Sequence, residues 1–247
     1  TLRALVCGQE SATSIQRCWQ SLGGIEKRML NFLENHDEQR IASDYFAGNG
    51  IKAIPGMIVS ACMNTNPVMI YFGQELGEPG MDTEGFSGRD GRTTIFDYWS
   101  VDSIRRWRNG GKFDGKQLTG HEKILQKFYT TLLNLCNTEK AIREGEFFDL
   151  TYANLEGWVF NEHKQYAFLR KSDEELLLIV VNFDNMPACP GIKIPKHAFD
   201  YLNIPVKEKY VAKELLSGNL EELAMSPDQL THVKLEGHSG KILKIGI

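Results

Sequence analysis

No apolar run in the sequence approaches the ~18 residues that a membrane span needs, and no secretory leader opens it. Its first residues, Thr1 to Gly8, read as the interior of a longer polypeptide. An excess of basic charge is missing as well. A formal charge of -4 and a pI near 5.9 argue against a nucleic-acid partner, which would meet a basic face. The five cysteines (Cys7, Cys18, Cys62, Cys136, Cys189) are dispersed and odd in number, with no CxxC pair and no histidine at metal-ligand spacing. They read as buried free thiols rather than as a disulfide framework or a zinc site. Internal repeats and low-complexity tracts are also absent. What remains is a chain of 247 residues, 42% hydrophobic and 24% charged, long enough to bury a sizeable core.

The stretch that organises this chain is Met29 to Asp37, where the apolar residues Met29, Leu30, Phe32 and Leu33 stop in Glu34, Asn35, His36 and Asp37. A short apolar run of this kind predicts a buried strand, and enclosed α/β folds present their chemistry at the carboxyl ends of such strands. A strand followed by an ordinary polar turn is the plainer alternative. Pro55 suits the first turn of a helix running to about Met63. Val68 to Phe72 then predicts a second strand, ending in Gly73, Gln74 and Glu75. Strand, helix and strand in succession make a right-handed βαβ unit with parallel neighbours. Asp37 and Glu75 are therefore expected on one rim.

Residues 76 to 96 form a glycine-rich, charged loop, long enough to serve as a wall or lid of a cleft. Helices are expected over 12–22, over 97–108, and most clearly over 119–137, where Thr119 and Glu122 form a capping box. Near residue 140 the texture changes. Short strand-like runs at 147–150, 165–169, 176–183, 192–194, 210–216 and 241–245 predict an antiparallel β-sandwich. The expected fold is α/β plus all-β, with the first part over 1–140 and the second over 141–247. Two parallel strands cannot close a sheet alone, so further strands upstream or another chain must complete the first part.

The run Phe32-Leu33-Glu34-Asn35-His36-Asp37 resembles the Asn-His-Asp block of the α-amylase family of glycoside hydrolases. Pro67 to Glu75 resembles that family's later Pro-x-x-x-Tyr-x-Gly-Gln-Glu block, in the same order and at a matching separation. Gly91 to Trp99 is similar to a bacterial starch- or maltodextrin-degrading branch. The resemblance implies the last strands and helices of an incomplete (β/α)8 TIM barrel followed by a C-terminal β-sandwich. It implies an α-glucan oligosaccharide or polysaccharide as substrate and the upstream portion of the same barrel as partner. Asp37 matches the catalytic aspartate that assists the transition state, His36 and Asn35 match substrate-binding positions, and Glu75 supports the site floor. The family's nucleophile and acid/base belong to blocks that would precede Thr1, so this chain alone is expected to be inactive. No cofactor and no metal site are expected here; some family members bind calcium, which is left to the full-length parent. Bacterial relatives are often exported, which favours a periplasmic or extracellular setting over a cytoplasmic one. Phe86, Tyr98 and Trp99 are candidates for stacking on sugar rings. A non-catalytic carbohydrate-binding or structural module is the alternative reading.

Overall fold

The computed structural model describes residues 1–82, 89–93, 101–155 and 157–247. Seven α-helices and eight strands are formed among these residues. The helices are α1 (Leu2–Val6), α2 (Thr13–Gln20), α3 (Ile54–Cys62), α4 (Asp102–Arg108), α5 (Gly120–Thr138), α6 (Lys140–Arg143) and α7 (Lys196–Tyr201). The strands are β1 (Glu146–Asp149), β2 (Gln165–Lys171), β3 (Leu176–Asn182), β4 (Gly191–Lys193), β5 (Tyr210–Glu214), β6 (Leu220–Leu223), β7 (Leu230–His232) and β8 (Ser239–Ile245).

Six strands make one antiparallel sheet in the order β1-β2-β3-β8-β5-β6, and β4 pairs with β7 in a second sheet. Alternation along the strands divides the large sheet into two apolar faces. Tyr166, Phe168, Leu177, Ile179, Val181 and Ile242 join a core built with α3 and α5. Ala167, Leu169, Leu176, Leu178, Val180 and Leu243 face a second core, which includes Ile192 of β4 and Phe199 of α7. Every residue of β3 is buried for this reason, and both of its faces had to be apolar.

Helix α3 carries Pro55 in its first turn, and all residues from Pro55 to Cys62 are buried. It lies so close to β8 that a Cβ at Gly240 would stand 2.8 Å from Ile58 Cδ1. The capping box at the start of α5 is present: Glu122 N–H donates to Thr119 Oγ1, and Thr119 N–H donates to the Glu122 carboxylate at 2.7 Å. Helices α1 and α7 and strands β6 and β7 were not anticipated. Each has three to six residues, too few for periodicity to stand out.

The two apolar runs expected as parallel strands do meet, but as a single parallel bridge between Asn31 and Val68. Asn31 N–H donates to Pro67 O at 3.0 Å, and Met69 N–H donates to Asn31 O at 2.8 Å. Among the described residues no third strand lies beside either run. Met29, Leu30 and Phe32 stay exposed, so the burial that sustains a parallel ladder is lacking. The Asn31 side chain substitutes in part, its amide donating to Ser60 O and Asn64 Oδ1, both at 2.9 Å.

Across residue 140 the packing is continuous, since the first core takes side chains from both sides of it. Arg170 of β2, 1% exposed, secures this junction. Its guanidinium donates to Met63 O at 2.8 Å, Ile142 O at 2.9 Å and Ala141 O at 3.0 Å. Burial pulls its pKa down to about 10. Replacing it leaves buried carbonyls without donors, at about 1–3 kcal/mol each. Arg170→Met is expected to lower the urea midpoint of unfolding by an amount equivalent to about 3 kcal/mol. An unchanged midpoint would remove this clamp from the account.

Candidate functional site

The rim begins where the bridged backbone leaves Asn31. Glu34 turns inward and is 1% exposed, while Asn35 is half-buried and His36 and Asp37 are exposed. The Asn35 carboxamide oxygen accepts the N–H groups of Asp37 at 2.8 Å and Glu38 at 2.9 Å, closing a tight polar turn. That turn presents Asp37, whose side chain is 78% exposed, with His36 Nε2 at 3.4 Å from its Oδ2. Glu38 faces solvent and pairs with Arg3 at 2.9 Å.

Beneath the turn lies a buried ion pair. Arg40 is wholly buried and its Nη2 stands 3.2 Å from Glu34 Oε1. The same nitrogen donates to Phe72 O at 2.7 Å, and the guanidinium lies 4.7 Å from the Tyr71 ring centroid. Glu34 Oε2 accepts Ile41 N–H at 2.5 Å. The pair therefore joins the turn at 34–40 to the end of the second run at 71–73. Burial and the Glu34 carboxylate make Arg40 a buried partner of that acid rather than a surface residue. Gly80 is required beside it: φ is +59°, and a Cβ there would stand 2.9 Å from Arg40 Cγ.

On the second run, Gln74 is the residue whose role sequence reasoning missed. It is buried, with Oε1 accepting Tyr71 N–H at 3.1 Å and Nε2 donating to Tyr129 Oη at 3.0 Å. It thus fixes the short 3₁₀ turn Gln74–Leu76 against α5. Glu75 is half-buried, and burial raises its carboxyl above the usual range against the pull of its own N–H, Arg40 and the Gly73 N–H. Glu78, buried, accepts Gly80 N–H at 3.0 Å and a hydrogen bond from Ser103 at the start of α4.

The described part of the long loop packs against the rim. Arg92 Nε donates to Asp37 O at 2.7 Å, Tyr71 Oη donates to Thr93 O at 2.7 Å, and Gly91 N–H donates to Gly80 O at 3.0 Å. Phe86, Tyr98 and Trp99 lie outside the described residues. No group of three or more His, Cys, Asp or Glu side chains able to hold a metal ion occurs among the described residues.

Chemically, the arrangement offers one solvated carboxylate and one imidazole on a stiff turn, backed by a buried charge pair. Burial pushes the Glu34 carboxyl up to about 7, more than Arg40 and the Ile41 N–H pull it down. A raised carboxyl favours the protonated folded state, so this contribution to stability is full below about pH 4.5 and is lost as pH rises through about 7. Relative to Glu34→Gln, the wild-type chain is expected to lose on the order of 3 kcal/mol across that window. Parallel unfolding curves for the two proteins between those pH values would contradict it.

No family model matches the sequence, and no curated protein matches it. Solved structures do share its fold. An Anoxybacillus α-amylase, described as giving insight into a new glycosyl hydrolase subclass, superposes with a TM-score of 0.62 at 17% identity, over 96% of this chain and 43% of its own. The noncanonic maltogenic α-amylase AmyB of Thermotoga neapolitana gives 0.63 at 14% identity, over 99% and 48%. The α-amylase of Geobacillus thermoleovorans, solved in complex with acarbose, gives 0.56 at 16% identity, over 100% and 46%. The chain spans less than half the length of each. Its fold is that of the C-terminal part of α-amylase-family glycoside hydrolases.

Proposed function

We propose that this chain is part of a retaining glycoside hydrolase of the α-amylase type that cleaves α-glucosidic bonds in starch or maltodextrins. The observation that carries this reading is the bridge from Asn31 to Val68, which sets two motif-bearing runs side by side, with Asp37 solvated on the turn that ends the first. The fold likeness supports it. In the same reading, residues 1–140 are the C-terminal portion of the catalytic barrel and residues 141–247 are the β-sandwich domain.

Asp37 is the residue for which a catalytic role is proposed. Its carboxylate would accept hydrogen bonds from hydroxyls of the ring being cleaved, contacts that strengthen as the ring flattens toward the oxocarbenium-like transition state. His36, exposed beside it, would donate to the same sugar. Asn35 spends its carboxamide oxygen on the turn and leaves its NH2 for the sugar. Glu75, half-buried, would support the floor. The Arg92 side chain holds the Asp37 carbonyl and so limits the movement of the turn.

A double displacement needs a nucleophile and a proton donor at a close carboxylate spacing, and neither has a motif match in this chain. The purified 247-residue chain is therefore expected to bind maltoheptaose without hydrolysing it. Asp37→Ala is expected to weaken that binding about tenfold, read by calorimetry. Release of reducing ends by the wild-type chain would refute the division of labour, and equal affinity of the two proteins would remove Asp37 from the sugar site.

A further inference from the structure

A second feature of the surface shares no residue with the rim. Between α2, β1 and α7 runs a groove of about 560 Å³, within the range of small-ligand sites. Its walls are aromatic. Phe148 lies at its centre, with ring centroids 5.6 Å from His197, 6.0 Å from Tyr201 and 6.3 Å from Tyr152. Tyr152 and Tyr201 are 43% and 62% exposed, so both present ring surface to solvent.

Trp19 forms the far wall and is held rigidly. Its indole N–H donates to Asp149 Oδ2 at 3.0 Å, and its ring stands edge-on to Phe147 at 5.4 Å. The Asp149 oxygens are also engaged, since Oδ2 accepts Tyr166 Oη at 2.7 Å and Oδ1 accepts Thr151 N–H at 2.6 Å. His197 Nε2 is engaged by the Tyr152 hydroxyl. The polar groups left at the rim of the groove, the carboxamides of Gln16 and Gln20 and the Tyr201 hydroxyl, are uncharged.

We propose that this groove binds a neutral oligosaccharide, stacking sugar faces on Tyr201, Tyr152 and Trp19 and pairing hydroxyls with the glutamine amides. The lining suits that chemistry and disfavours charged ligands. Aromatic rings match the C–H faces of a pyranose, amides match its hydroxyls, and the oxygens of the acid present are already engaged by three donors. The rigid indole lowers the entropy lost on binding. The choice of an α-glucan as first ligand rests on the proposed function above, whereas the groove itself does not.

The test is calorimetric titration of the full chain with maltoheptaose and, separately, cellopentaose, on wild type, Tyr201→Ala, Tyr152→Ala and Asp37→Ala. Circular dichroism and melting temperature certify that each variant is folded. Either tyrosine variant is expected to bind about tenfold more weakly at this site, and Asp37→Ala is expected to retain it. The Trp19 indole resonance should shift on titration in wild type and in Asp37→Ala. Binding of cellopentaose alone, lost in the tyrosine variants, would uphold the groove and overturn the α-glucan reading of the chain. No saturable binding of either sugar, or binding indifferent to both tyrosines, would overturn the groove.

Discussion

The Glu34–Arg40 ion pair is the interaction on which the rim depends. It sits wholly out of water, one member on each side of the turn that carries Asn35, His36 and Asp37. Burying two charges is costly, and the attraction between them offsets that cost only when the remaining polar atoms find partners. Here Ile41 N–H, Phe72 O and the Tyr71 ring supply part of what is needed, Arg40 Nε and Nη1 find no hydrogen-bond partner among the described residues, and burial still outweighs the attraction at Glu34. Because Arg40 also reaches the second run, the pair fixes the register of two segments that share only one backbone bridge. Long-range side-chain bonds thus do what a β-ladder would do in a fuller sheet.

The lower half of the molecule solves a different problem with the same economy. Its large sheet is apolar on both faces, so helices α3 and α5 cover one and the β4–β7 sheet with α7 covers the other. Arg170 then satisfies three carbonyls at the point where helical and sheet segments meet. The two buried arginines act in related ways: Arg170 donates to three backbone carbonyls and Arg40 to one, in each case reaching a distant segment, a task for which a planar, multi-donor side chain is suited. Stiffness in the sheet and stiffness in the rim come from the same kind of contact.

Two surfaces stand on this frame, the solvated Asp37 turn and the aromatic groove by α2, β1 and α7. In both, hydrogen bonds within the surface engage some polar groups and leave others presented. The Asn35 carboxamide oxygen is engaged by the turn beneath Asp37, and the Asp149 carboxylate is engaged by Trp19 and Tyr166.

Local signals carried much of this in the sequence. The capping box at Thr119, proline in the first turn of α3, the uninterrupted apolar run of β3, and the polar end at Glu34 to Asp37 all follow from residue chemistry within a few positions. Tertiary structure alone decided the rest. The runs at 29–35 and 68–72 have strand composition, yet they form one bridge, because a ladder needs neighbours and burial that no local pattern encodes. Neither the burial of Gln74 nor the choice for Arg40 between a surface place and an acid partner can be read from the linear string, and only the folded chain places both in the interior. The aromatic groove is assembled from residues 16–20, 147–152 and 197–201, which lie far apart along the chain. Burial and pairing are properties of the assembled chain, and they determined which polar side chains are tied into the structure and which face solvent.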